Sequence, residues 1–150
     1  MTTAWPRTKT LTNSCEFVVG GLLEVRVGYG YRSVADVDAM ITMIRSAITA
    51  RRSLEKFAIV ADWRNVHIMP PEVAQRAREM LAGNNLRVTR SAILTLPESP
   101  TSNLQVVRLV REAENTQRRH FAAVPDLERW LGEVLSPAQT TRLKAFLAGG

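Results

Sequence analysis

Residues able to do chemistry gather just after one short apolar segment of the chain. The run FAIVA at 57–61 leads directly into Asp62, Arg64 and His67. An aspartate and a histidine this close in sequence could act as an acid–base pair, with the arginine holding an anionic group. The alternative is a structural pair between Asp62 and Arg64, which lie on one face of a strand end. We favour the structural pair, because ion pairs without a catalytic role also gather at strand ends.

The chain carries none of the sequence motifs of the common enzyme classes. G-x-S-x-G, the P-loop, G-x-G-x-x-G and H-E-x-x-H are all missing, which favours a non-catalytic protein without a cofactor. One cysteine, Cys15, and two histidines, His67 and His120, are widely separated, so we expect no metal site. The segment ESPTSN at 98–103 could hold phosphate at a helix start, but capping by its side chains is the simpler interpretation.

Length and composition limit the class of protein further. The 150 residues suit a single domain, and 45% apolar with 23% charged residues exclude a disordered chain. No apolar run approaches the roughly 18 residues of a membrane span, and the N-terminus lacks the apolar stretch of a secretion signal. We therefore expect a cytoplasmic protein without an integral membrane segment. The net charge is +6, but the arginines are scattered, so we expect no nucleic-acid partner.

The elements that must position Asp62 alternate between strands and helices. Two β-rich runs at 15–19 and 22–27 flank Gly20 and Gly21, which predicts an antiparallel hairpin. Single amphipathic helices separate the later apolar runs, which requires those strands to pair in parallel. The later strands are predicted at 57–61, 91–96 and 118–123.

The predicted fold is an α/β single domain with a mixed, mostly parallel sheet of about five strands. An N-terminal β-hairpin begins the sheet, and four to five helices cover it. Residues 1–13 are rich in threonine and show no periodicity. We expect them to form a flexible tail before a single domain at 14–150.

This order of elements resembles the STAS fold, the domain type of anti-sigma-factor antagonists. More narrowly, residues 15–135 are similar to bacterial STAS-like proteins related to the sporulation anti-anti-sigma factor. The stretch IVADWRNV at 59–66 resembles the strand, aspartate and short loop of that family, and RRHFAAVPDLERWL at 118–131 resembles its closing strand and helix. The resemblance implies a regulatory module of the bacterial cytoplasm that binds other proteins.

The family carries a phosphorylatable Ser or Thr at the start of the helix that follows this strand. The matching stretch here is DWRNVHIMPPEV, and no Ser, Thr or Tyr occurs from Asp62 to Val88. We therefore expect no phosphorylation at the family position.

Two functions from different classes remain open. One is a STAS-like module that docks on a protein partner or on a second copy of itself, as a homodimer. The other is a small carrier that holds a lipid or another hydrophobic molecule in an apolar crevice, a use suspected for some STAS-like relatives.

The helix after ESPTSN is the predicted contact surface for either function, because its apolar residues cover more than one stripe. We expect Leu104, Val107 and Val110 to pack on the sheet. Val106 and Leu109 would then lie near the rim and contact a partner or a ligand. The alternative is that the C-terminal helix covers Val106 and Leu109.

Overall fold

Strands and helices alternate along the chain after an initial hairpin. The computed structural model describes residues 12–83, 85–96 and 100–149. The strands are β1 (Asn13–Val18), β2 (Leu22–Val27), β3 (Phe57–Asp62), β4 (Val88–Leu94) and β5 (Arg118–Phe121). The helices are α1 (Val34–Ala50), α2 (Pro71–Ala82), α3 (Pro100–Ala113), α4 (Val124–Gly132) and α5 (Pro137–Ala148).

The strands form one sheet in the order β1-β2-β3-β4-β5. β1 and β2 pair antiparallel, and the other three pairs are parallel. Each parallel pair is joined by one helix, as the alternating pattern predicts. The predicted α/β fold with its N-terminal hairpin is therefore confirmed. β4 begins three residues before the predicted start at 91, because Val88, Thr89 and Arg90 also belong to the strand.

The hairpin turn depends on two glycines. Gly20 and Gly21 have φ angles of 63° and 116°, in the region that residues with a Cβ rarely adopt. The amide of Gly21 donates a hydrogen bond to the carbonyl of Val18 at 3.2 Å. Since β1 ends at Val18 and β2 begins at Leu22, the turn has three residues, one more than a two-residue hairpin loop.

The sheet begins earlier than the predicted boundary at residue 14. The side-chain oxygen of Asn13 accepts hydrogen bonds from the amides of Tyr29 and Gly30, at 2.9 and 3.3 Å. The amide of Gly28 donates to the carbonyl of Thr12 at 3.0 Å. Thr12 and Asn13 thus hold the loop that follows β2. The rest of the predicted tail, residues 1–11, lies outside the described part of the chain.

Helices cover both faces of the sheet. The first face is covered by α1, α2 and α3, whose residues share one apolar cluster with Leu23 and Val25 of β2. The second face is covered by α4 and α5, which pack on Leu22 and Val60. Because side chains alternate along a strand, apolar residues at successive positions of β2 and β3 supply both clusters. We call these the α1–α3 face and the α4–α5 face.

The orientation predicted for α3 is wrong. Val106 and Leu109 are buried, at 1% and 4% exposure, whereas Leu104 is 70% exposed. The buried stripe runs through Val106, Leu109, Val110 and Ala113, which have the i, i+3, i+4, i+7 spacing of a single helix face. Val106 and Leu109 are therefore core residues, and they do not lie at the rim of a contact surface. They pack in the cluster of α1 and α2, and α5 lies on the opposite face.

Two matched truncations on α3 test this orientation. Leu109→Ala removes a buried side chain and should lower the free energy of unfolding by about 2–4 kcal/mol. Leu104→Ala, on the same helix, should change it by less than about 0.5 kcal/mol because its side chain is exposed. Urea denaturation followed by circular dichroism measures both. Equal losses for the two variants would contradict the burial described above.

Candidate functional site

Asp62 ends β3 on the α4–α5 face, where the parallel register places it beside Arg26 of β2. Its carboxylate is 6% exposed. It accepts a hydrogen bond from Nη1 of Arg26 at 2.7 Å, and bonds from Nε and Nη2 of Arg64, both at 3.0 Å. The backbone amide of Arg64 donates to the same carboxylate at 3.0 Å. The predicted pair of Asp62 and Arg64 therefore exists, and Arg26 is a second partner that the sequence did not indicate.

Both arginines also hold the end of α5. Nη2 of Arg26 donates to the carbonyl of Phe146 at 2.7 Å, and Nη2 of Arg64 donates to that of Leu147 at 2.8 Å. The last carbonyls of a helix have no partner within the helix and attract cations. The Arg26 guanidinium also lies 4.1 Å from the ring centre of Phe146. Asp62 thus orients two arginines that cap α5, which is a structural role.

His67 does not join this cluster. It lies exposed in the loop between β3 and α2, and among the described residues no hydrogen bond or ion pair links it to Asp62. Trp63, between them in sequence, is buried on the α1–α3 face and stacks edge-to-face with Tyr31 at 5.4 Å. The acid–base pair considered from the sequence is therefore not assembled in this structure.

A cavity of about 390 Å³ lies on the α1–α3 face, between α1, α2 and the sheet. Side chains of α1 form one wall, those of α2 form the other, and β2, β3 and β4 form the floor. Its apolar lining includes Ile41, Ile44, Ile48, Ile59, Met80 and Ile93. Ile41, Ile44 and Ile48 follow one another at helical spacing along α1, and they are only half-buried because this cavity borders them.

Two polar side chains stand out in the lining. Tyr31 is buried, and its hydroxyl oxygen has no hydrogen-bond partner among the described residues. Burial raises the pKa of Tyr31, so it stays a neutral phenol. Arg118 begins β5, and burial lowers the pKa of its guanidinium to about 10. Arg118 therefore still carries its positive charge at neutral pH.

Two other reactive side chains, Cys15 and His120, are protonated or hydrogen-bonded. Burial, and then the charge of Glu16, raises the pKa of the Cys15 thiol to about 11, so the thiolate is scarce at neutral pH. His120 lies with Nε2 2.6 Å from Oγ1 of the buried Thr95, and burial lowers the pKa of this histidine. Within the described ranges, no three His, Cys, Asp or Glu side chains are grouped so that they could hold a metal ion.

Comparisons with known proteins give no relative: no family model, no curated protein and no solved structure matches this chain. Among the described residues, no helix is both long enough and apolar enough to pass through a membrane. The ESPTSN segment lies partly outside the described residues, since 97–99 are not described.

Removal of the Asp62 carboxylate should destabilise the protein. Asp62→Ala leaves Arg26 and Arg64 partly buried without their carboxylate partner, so the free energy of unfolding should fall by about 2 kcal/mol. Asp126→Ala is the matched control. It also removes an aspartate from an ion pair with an arginine, Arg129, but both side chains are exposed. That control should lose less than about 0.5 kcal/mol.

A double-mutant cycle of Asp62→Ala with Arg64→Ala completes this test, because residues in one ion-pair network couple. A stable Asp62→Ala variant that has lost a cellular function would contradict the structural role and identify the cluster as a binding site.

Proposed function

We propose that the chain is a non-catalytic binding protein of the bacterial cytoplasm that holds a small hydrophobic molecule in the cavity between α1 and α2. The observation that carries this proposal is the cavity itself. Its volume of about 390 Å³ falls in the range of small-molecule sites, which run from about 300 to 1,000 Å³. Such sites combine apolar side chains with placed polar groups, and this lining combines isoleucines with polar side chains such as Tyr31 and Arg118.

The packing of the two faces supports the same proposal. Protein interiors seldom leave voids larger than a water molecule, because each void forfeits contacts between its walls. On the α4–α5 face, Leu127, Leu131 and Leu143 are 0% exposed. On the α1–α3 face, Ile44 and Ile48 remain half-buried beside open space. A bound apolar molecule would restore the missing contacts there.

A neutral fluorescent probe tests this proposal. N-phenyl-1-naphthylamine brightens on leaving water and has no charge, so it reports an apolar site without needing an ion pair. We expect it to bind the wild-type chain. Ile44→Trp, which fills the cavity from α1, should weaken that binding by about tenfold or more, a loss of roughly 1.4 kcal/mol.

Leu104→Trp is the matched control for Ile44→Trp. It adds the same side chain at an exposed position of α3 that does not line the cavity, and it should bind the probe as the wild type does. Absence of probe binding to the wild type, or equal binding to Ile44→Trp, would overturn the proposed function.

A second proposed function is the STAS-like interaction module, and a surface feature at the loop after β3 favours it. Ile68 and Leu104 are 56% and 70% exposed. Their neighbours are joined directly: the amide of Met69 donates to Oε1 of Gln105 at 2.9 Å, and Nε2 of Gln105 donates back to the Met69 carbonyl at 3.0 Å. The two exposed apolar side chains therefore flank one contact between the loop and α3. Exposed apolar surface of this kind can mark an interface.

Self-association through this surface has its own test. If Ile68 and Leu104 form a homodimer interface, the double variant Ile68→Asp with Leu104→Asp should be a folded monomer in light scattering. The single variant Leu86→Asp, at an 86% exposed leucine elsewhere, should keep the wild-type mass. A wild-type chain that is monomeric at high concentration would contradict the homodimer.

A further inference from the structure

One positive charge in the lining of the cavity, that of Arg118, has no counter-ion among the described residues. Nε of Arg118 donates to Oγ of Ser91 at 3.2 Å, and Nη1 donates to the carbonyl of Leu81 at the end of α2. Both acceptors are neutral. Among the described residues, no carboxylate forms an ion pair with Arg118, and its Nη2 has no hydrogen-bond partner.

Glu79, the acidic residue in the lining of the same cavity, is already bound to other side chains. Oε1 of Glu79 accepts from Nη1 of Arg76 at 2.9 Å, and its other oxygen accepts from Gln75 at 3.2 Å. Arg76 also donates to Asp38 of α1 at 2.6 Å. These pairs join α1 to α2, and their side chains are 36–50% exposed. The charge of Arg118 is therefore available to a ligand.

Arg118 marks one polar end of the cavity, and three charged side chains of α1 and α2, Arg45, Arg76 and Glu79, also line it. Asn85 and Asn115, which precede β4 and β5, line the cavity with it at the edge of the sheet where these strands begin. From Arg118 on β5 to β2 the lining crosses three strand spacings of about 4.8 Å. Val25 is level with His120, two residues beyond Arg118, so the two ends lie roughly 16 Å apart, which an extended alkyl chain of roughly twelve carbons would cover. Between the two ends, the floor is formed by Ile59 and Ile93.

We propose that the ligand is a medium-chain fatty acid, with its carboxylate on the Arg118 guanidinium and its alkyl tail between α1 and α2. This inference rests on the proposed function and names its ligand class. A guanidinium and a carboxylate match in geometry and form strong charge-assisted hydrogen bonds. Burial of an unpaired cation costs free energy, and a bound carboxylate offsets that cost.

The test compares two ligands that differ only in the head group. Dodecanoate and dodecanol are titrated against the chain loaded with N-phenyl-1-naphthylamine, below the micelle concentration of the acid and at a pH where the acid is ionised. Dodecanoate should displace the probe at about tenfold lower concentration than dodecanol, because a hydrogen bond to a charged group contributes at least that factor. Dodecanol should still displace it, because the tail alone occupies the cavity.

Three variants test whether the preference for dodecanoate over dodecanol depends on Arg118. Arg118→Gln should bind the probe and dodecanol as the wild type does, and should lose the preference for dodecanoate. Ser91→Asp keeps Arg118 and supplies an internal carboxylate next to it, so it should lose the preference as well. Arg119→Gln is the matched control, because Arg119 is the exposed neighbour on the opposite face of β5, and it should keep the preference.

The outcomes separate this inference from the function on which it rests. Equal displacement by dodecanoate and dodecanol in the wild type, or a preference that survives both Arg118→Gln and Ser91→Asp, would overturn the fatty-acid assignment while the apolar site stands. Failure of the neutral probe to bind the wild type would overturn the proposed function, and the ligand class with it. If Arg118→Gln does not fold by circular dichroism, the comparison of Ser91→Asp with the wild type decides.

Discussion

A single aspartate links the two ends of this fold. Asp62 closes β3 and binds Arg26 of β2 and Arg64 of the following loop, and both arginines then reach the last carbonyls of α5. The C-terminal helix is thereby attached to the centre of the sheet. A second buried acid, Glu24, receives both Nε and Nη2 of Arg142 at 2.6 and 2.8 Å and holds the middle of the same helix. Removal of either acid would leave arginines without a carboxylate partner at the helix–sheet boundary.

This attachment makes the two faces of the sheet unequal. On the α4–α5 face, ion pairs and a filled apolar cluster hold the helices against the strands. On the α1–α3 face, α1 and α2 are joined on the outside by Arg76 and its acidic partners, while their inner isoleucines border the cavity. Arg26 and Arg64, which cap α5, are paired with a carboxylate, whereas Arg118, which lines the cavity, has no carboxylate partner among the described residues. The proposal that Arg118 binds a ligand rests on this difference.

Local sequence signals predicted most of the architecture. The glycine pair indicated the hairpin, and the apolar runs separated by single helices indicated the parallel strands. Asp62 and Arg64 are two residues apart, so their pairing could be inferred, whereas Arg26 is 36 residues from Asp62 and depends on the register of β2 with β3. The early part of β4 was missed because the strand was predicted from the run SAILTL at 91–96, and Thr89 and Arg90 before it are polar. In the structure Thr89 donates to the carbonyl of Phe57, and Arg90 contacts the carbonyl of Trp130.

The face of α3 and the cavity were not predictable in the same way. The residues from 104 to 113 contain more apolar side chains than one stripe needs, so periodicity alone allowed two orientations. A cavity arises from how far two helices stand apart, and no pattern in the sequence records that distance. The sequence could not indicate the surroundings of Arg118 either, because its lack of a carboxylate partner among the described residues depends on how β4, β5 and α2 come together.

Native mass spectrometry of the chain purified from its own cells tests the central claim most directly. If the cavity is a carboxylate site, the wild-type chain should carry one monocarboxylic acid per molecule, and Arg118→Gln prepared in parallel should carry none. A wild-type chain that emerges without any bound molecule, or with a neutral lipid that Arg118→Gln retains equally, would contradict it.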